Sequence, residues 1–251
     1  MSDEIQAEPG AAAKIKAEAI ELVRFILGAA AIYLVITSLI FRSFYIPSGS
    51  MEPTLEVNDH VIVLNFAYGW SRHSVQLSLG TWLPRGEGRV LGRLPKRGDV
   101  IVFRHPERRE HLIKRVIGLP GDTIQVREGR LYINNEIVPR ELRGDVTYRK
   151  RNGGVVTATL YDEVLPNGDT HKIYELGDDF PYDNTQRFIV PENRVFVMGD
   201  NRDDSLDSRS ELGAIPVENI VGKAATVFFT LHRCKREPGL TCPTGRVWRP
   251  L

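Results

Sequence analysis

From Phe25 to Phe41 the chain reads FILGAAAIYLVITSLIF, 17 residues without a charge between Arg24 and Arg42. A helix of that length rises about 25 Å, enough to cross a bilayer core when the flanking arginines snorkel to the headgroups. A buried core helix would keep a polar face, and this run has none. A cleaved secretory signal would be shorter and end on a small-x-small site, whereas Arg42-Ser43-Phe44-Tyr45 follows here. The run is therefore expected to stay in place as a single transmembrane anchor over 25–41. Lys14, Lys16 and Arg24 precede it and Arg42 alone follows closely. That asymmetry places the N-terminus in the cytoplasm and residues 42–251 outside it. Residues 1–13 are small, acidic and aperiodic, so 1–24 is expected to be a cytoplasmic, disordered tail.

After Arg42 the periodicity changes to two. HVIVL (60–64), DVIVF (99–103), LIKRVI (112–117), TIQV (123–126), RLYIN (130–134), RFIV (187–190), RVFVMG (194–199) and AATVFFTL (224–231) are short β-branched and aromatic runs. Glu128-Gly129 and Asn134-Asn135 stand where two hairpin turns would give a meander from Thr123 to Val138. No comparable helical pattern appears, so the expected fold is mostly β. It has one N-terminal transmembrane helix, then an antiparallel β-sheet body, with a second β-rich lobe inserted at about 139–186. Residues 68–98 read as a further loop, whose Trp70, Leu77, Leu79, Trp82 and Leu83 suit either a membrane–water interface or packing beneath the loop. Lys+Arg 33 against Asp+Glu 32, dispersed along the chain, excludes the basic excess of a nucleic-acid binder. Cys234 and Cys242, eight apart, are suited to a small disulfide loop in an oxidising compartment, and two free thiols are the alternative.

Three segments can carry chemistry. In Ile46-Pro47-Ser48-Gly49-Ser50-Met51-Glu52-Pro53-Thr54-Leu55, glycine between two serines allows a tight backbone that presents one hydroxyl, while two prolines stiffen the flanks. A plain Ser/Gly turn is the competing reading. No Gly-x-Ser-x-Gly elbow is present. Lys114 stands inside an apolar strand with Leu112 and Val116 on its face. Desolvation there would lower its pKa and let it take a proton from a serine, unless it snorkels out at a sheet edge. In Gly199-Asp200-Asn201-Arg202-Asp203-Asp204-Ser205-Leu206-Asp207-Ser208-Arg209, four Asp, two Arg and two Ser within eleven residues suggest a hydrogen-bonded network. A calcium loop starting at Asp203 fails, because its sixth position is Ser208 rather than Gly and its twelfth is Ala214 rather than Glu. The histidines show no metal-ligand spacing, and a Ser-His-Asp triad with His111 as base stays open.

Together, in order and behind an anchor, these segments closely resemble the type I signal peptidase family. Arg97-Gly98-Asp99-Val100, Gly118-Leu119-Pro120-Gly121-Asp122 and Leu165-Pro166-Asn167-Gly168 also carry the resemblance, which spans most of residues 42–230. It implies a membrane-bound serine endopeptidase that removes signal peptides from secreted precursors after small residues at P1 and P3, the Ala-x-Ala type. It further implies Ser50 as nucleophile and Lys114 as general base, with Ser48 and the Ser50 amide forming the oxyanion hole. Ser205 would orient the lysine, and Asp207 with Arg209 would support that loop. Ile46, Pro47, Met51, Leu55, Leu112 and Ile113 would line shallow substrate pockets. No cofactor or metal is implied. The implied partners are precursor proteins and the lipid bilayer, for a monomer whose catalytic body faces the periplasm from the bacterial inner membrane. Glu52 departs from the apolar residues that occur around that position in the family.

Overall fold

The computed structural model describes residues 11–75, 89–231 and 237–251. The reading of 1–10 as a tail, the interfacial role of Leu77, Leu79, Trp82 and Leu83, and Cys234 all lie outside these residues. Helix α1 runs over Ala11–Leu39. Residues 11–24, expected to be a disordered tail, are thus helical: Ala-, Lys-, Glu- and Ile-rich sequence favours helix and simply extends the apolar run backwards. Its Lys14–Leu39 portion is long and apolar enough to cross a membrane, and none of its most apolar stretch is buried against the body. The core-helix alternative therefore fails.

The helix ends at Leu39, two residues before the apolar run does, because the body captures its last carbonyls. Asn65 Nδ2 donates to the Thr37 and Ser38 carbonyls, and Trp70 Nε1 donates to that of Leu39. The Asn65 amide takes Ile40. Groups a helix C-terminus leaves orphaned are thereby satisfied, and Phe41 starts strand β1 (Phe41–Tyr45).

The main sheet contains β1, β2 (Asp59–Leu64), β3 (Val100–Arg104), β4 (His111–Gly118), β12 (Arg194–Met198), β13 (Ile215–Pro216) and β14 (Ile220–Thr230). Their order is β1-β2-β14-β3-β4-β12-β13, with β15 (Arg249–Pro250) paired to β14. Every pairing is antiparallel. β3 shows why a continuous apolar run was needed: Val100 and Val102 enter one core cluster, with Ile46, Met51, Leu55 and Ile113, while Ile101 and Phe103 enter another with Val116 and Val197. Both faces of the strand are buried.

The expected meander is present as β5 (Thr123–Arg127), β6 (Arg130–Ile133) and β7 (Glu136–Ile137), with β11 (Phe188–Ile189) on its outer edge. Glu128, Gly129, Asn134 and Asn135 all have positive φ, as tight two-residue hairpin turns require. Within the span read as an inserted lobe, β8 (Arg140–Arg149), β9 (Val155–Val164) and β10 (Thr170–Glu175) form a separate antiparallel sheet. Period-two alternation is weak there, since most of β8 is exposed or half-buried.

Candidate active site

Ser50 and Lys114, 64 residues apart, meet: Lys114 Nζ lies 2.5 Å from Ser50 Oγ, and both side chains are buried. β4 delivers the lysine. Its register sets Ile101 of β3 opposite Lys114, and Leu112 and Val116 pack in one apolar cluster. The serine comes from the 46–55 segment, where Ile46, Met51 and Leu55 are pinned in the core and the Leu55 amide bonds to the Met51 carbonyl. A hydroxyl held between buried apolar anchors cannot drift.

Asn201 clamps the same segment. Its amide donates to the Ser50 carbonyl at 3.1 Å, and its Nδ2 donates to the Gly49 carbonyl at 3.2 Å and to Tyr148 Oη at 3.1 Å. Gly199 allows the approach, because a Cβ there would overlap the Ser50 carbonyl and the Ser205 side chain.

Desolvation pushes the Lys114 ammonium down to about 8 from 10.5, against the pull of Asp207 and Asp200, with Arg209 adding to the depression. Asp207 pairs with Arg209 at 3.0 Å, both buried, and accepts from the Gly199 amide at 2.9 Å. Burial works to raise the Asp207 carboxyl, but Arg209 and these hydrogen bonds outweigh it and hold the group below its ordinary value. The Ser205 hydroxyl donates to Asp207 Oδ2 at 2.8 Å. Ser205 therefore sits beside the carboxylate nearest in influence to Lys114, with its hydroxyl bonded to that carboxylate and not to the amine.

A hollow of about 320 Å3 opens over Ser50, lined by Pro47, Ser48, Gly49, Glu52, Val57 and the Lys150–Asn152 turn of the inserted sheet. Arg151 Nη1 donates to the Pro47 carbonyl at 2.6 Å, and Lys150 pairs with Asp204 at 2.9 Å. Of the six residues expected to line substrate pockets, Pro47 borders this hollow. Ile46, Met51, Leu55 and Ile113 belong to the core cluster beneath it, and Leu112 packs with the other cluster. Ser48 is exposed at its rim.

Beside this hollow two strand segments lack a second neighbour among the described residues. β1 pairs with β2 alone, and β12 covers only Arg115–Gly118 of β4, leaving His111–Lys114 paired to β3 alone. The Phe44 and His111 rings meet edge to face, 5.4 Å apart. His111 makes no hydrogen bond to the Ser50 hydroxyl, whose partner is Lys114, and it lines a different hollow.

Several functional neighbours escaped the sequence reading. Arg115 forks onto Asp200 at 2.8 and 2.7 Å, and Arg202 forks onto Glu163. Both pairs are buried and fix the loop that carries Asn201 and Ser205. Glu52, two residues past Ser50, is buried next to Glu56, and desolvation followed by that neighbour raises its carboxyl strongly. Only Glu52 carried a signal, an acid in an apolar segment. Cys242 is disulfide-bonded.

The signal peptidase, peptidase S26, family pattern matches residues 19–229. A signal peptidase I of Rickettsia typhi is 42% identical over 206 residues, covering 79% of this chain and 76% of the relative. That of Rickettsia akari is 41% identical over 206 residues, covering 79% and 75%. A crystal structure of a signal peptidase I from Enterococcus faecalis is 26% identical with a TM-score of 0.32, covering 52% of this chain and 97% of that one.

Proposed function

Since the chain belongs to the signal peptidase, peptidase S26, family, we propose that it removes signal peptides by a Ser50/Lys114 dyad while held in the bacterial inner membrane by α1. The observation that carries this reading is the 2.5 Å approach of Lys114 Nζ to Ser50 Oγ in a buried setting. With a pKa near 8 the amine is neutral in a useful fraction of molecules. Neutral Nζ accepts the Ser50 proton as Oγ attacks the scissile carbonyl, and the resulting ammonium returns it to the leaving amine. The Ser50 amide and the Ser48 hydroxyl are the donors for the oxyanion.

The free edges of β1 and of His111–Lys114 suit a precursor bound as an extended strand, with main-chain hydrogen bonds on both sides and alternate side chains facing the protein. Two side chains on one face are two residues apart, which supports selection at P1 and P3. Ile46, Met51, Leu55 and Ile113 would act as the floor of those pockets, and the Pro47 side of the hollow as a wall. Small residues are favoured because that floor is closely packed. Positive charge before the anchor supports a cytoplasmic N-terminus, with residues 42–251 in the periplasm acting as a monomer. Confinement of enzyme and inserted precursor to one bilayer raises their effective concentration.

The test is cleavage of a secretory precursor by detergent-solubilised full chain. Ser50→Ala and Lys114→Met should each abolish it while leaving the fold intact. Cleavage by Lys114→Met, or loss of cleavage in folded His111→Ala, would replace the lysine with a histidine base.

A further inference from the structure

The end of α1 is held against the 65–74 segment by the Asn65 and Trp70 bonds, and Arg42 Nη2 continues the attachment by donating to the Ser74 carbonyl at 2.9 Å. Arg42 also lines, with His111, a hollow of about 760 Å3 whose lining includes neither Ser50 nor Lys114. The fold gathers there arginines that are scattered in sequence: Arg42, Arg72, Arg104, Arg108 and Arg109. Three histidines join them, and the acids among the described lining residues are Glu107 and Glu218. Glu218 stands 3.9 Å from Arg72, and Glu110 stands 3.4 Å from Arg108. Among the described residues, no carboxylate pairs with Arg42, Arg104 or Arg109, and Arg42 Nε is buried without a hydrogen-bond partner. Burial first, then Arg72 and Arg104, push His73 down to about 4, so this imidazole is neutral and the arginines set the sign of the field. A concave surface with three guanidiniums unpaired by any carboxylate calls for an anion with several acceptor oxygens.

Its position selects the anion. The hollow begins three residues after the apolar helix ends, which is the depth of the phosphate layer if α1 spans the bilayer. We infer that this hollow binds the headgroup of an anionic phospholipid and so seats the catalytic body on the membrane. The inference rests on the reading of α1 as the anchor. It has a consequence for the reaction: Arg42 lies in β1 and His111 opens β4, so a lipid held between them fixes the free strand edges at the surface from which a precursor emerges. An anchor alone leaves the body free to turn; a second attachment removes that freedom.

The full chain is reconstituted in phosphatidylcholine vesicles that contain a trace of dansyl-labelled phosphatidylglycerol or of dansyl-labelled phosphatidylcholine, and energy transfer from tryptophan is read. Transfer should be greater to the phosphatidylglycerol probe and should decline with added salt. Removing arginines should weaken that preference roughly fivefold each, on the order of a hundredfold for Arg104→Gln/Arg108→Gln/Arg109→Gln. Precursor cleavage by the triple variant in detergent should be unchanged. If the triple variant does not fold, Arg108→Gln and Arg109→Gln, at the exposed hairpin tip, give the same reading one step at a time. Equal transfer to both probes, or an unaltered preference in the variants, overturns the proposal. Displacement of the probe by soluble glycerol phosphate as effectively as by phosphatidylglycerol would make the hollow a free-phosphate site and overturn it too. Failure of the chain to enter either vesicle would overturn the anchor reading itself, and this inference with it.

Discussion

Lys114 and Arg115 are adjacent in β4, both buried and both basic, yet they meet opposite surroundings. Arg115 forks onto Asp200, donates to the Gly98 carbonyl at 2.7 Å, and is a fully compensated charge. Lys114 finds a hydroxyl, with its two influential carboxylates, Asp207 and Asp200, already engaged by Arg209 and Arg115. The compensated cation builds the frame; the uncompensated one is ready to give up its proton. Neighbouring residues on a strand face opposite sides, so one strand supplies scaffold and chemistry without either side chain entering the other's field directly.

Exchanging the two side chains would break that contrast most severely. Lys114→Arg puts a permanent charge where none is compensated and leaves no base, so kcat should fall by about 10^4 or more with the protein destabilised. A precursor-cleavage assay and thermal unfolding check both. Next, Asp200→Ala strands the Arg115 charge and should cost about 3–5 kcal/mol in denaturant unfolding. A loss equal to that of an exposed ion pair would remove the scaffold role. Arg115→Lys keeps the charge and forfeits the fork, so it should fold and cleave at a smaller stability cost of about 1–3 kcal/mol.

Lys114→Met sharpens the comparison from the stability side. A lysine held at about 8 in the fold and 10.5 when unfolded penalises the fold throughout the range below 8. The penalty fades as pH rises from 8 to 10.5. Inactive Lys114→Met should therefore be no less stable at neutral pH, gaining at most about 3 kcal/mol, with the gain gone above 10.5. The smallest effect belongs to Ser205→Ala. Its hydroxyl bonds to Asp207, so the loss reaches Lys114 only through that carboxylate. Turnover should drop several-fold at nearly constant KM.

The β-runs and hairpin turns were legible because local patterning agrees with burial, as in β2, where buried and half-buried residues alternate from Asp59 to Leu64. The inserted lobe was legible as β-rich at about 139–186, but its individual strands were not, because they are half-solvated and their apolar cluster is small, centred on Tyr148, Ala158 and Tyr174. At the site, a stiffened Ser/Gly turn and a lysine inside an apolar strand marked the two segments from their own surroundings, and the family resemblance singled out Ser50 and Lys114 within them. Asn201 as a clamp, Glu163 as the partner of Arg202, and the Arg42–Arg109 hollow depend on contacts between residues far apart in sequence. No local pattern announces them.

The dependence of kcat/KM on pH for precursor cleavage tests most directly whether Lys114 works as a neutral base. Only the deprotonated amine accepts the Ser50 proton, so kcat/KM should rise with pH through an apparent pKa of about 8 and level off above it. The rise should be unchanged in His111→Ala. A profile that rises instead through the ordinary histidine range, or one that keeps its shape and height in Lys114→Met, would contradict the account.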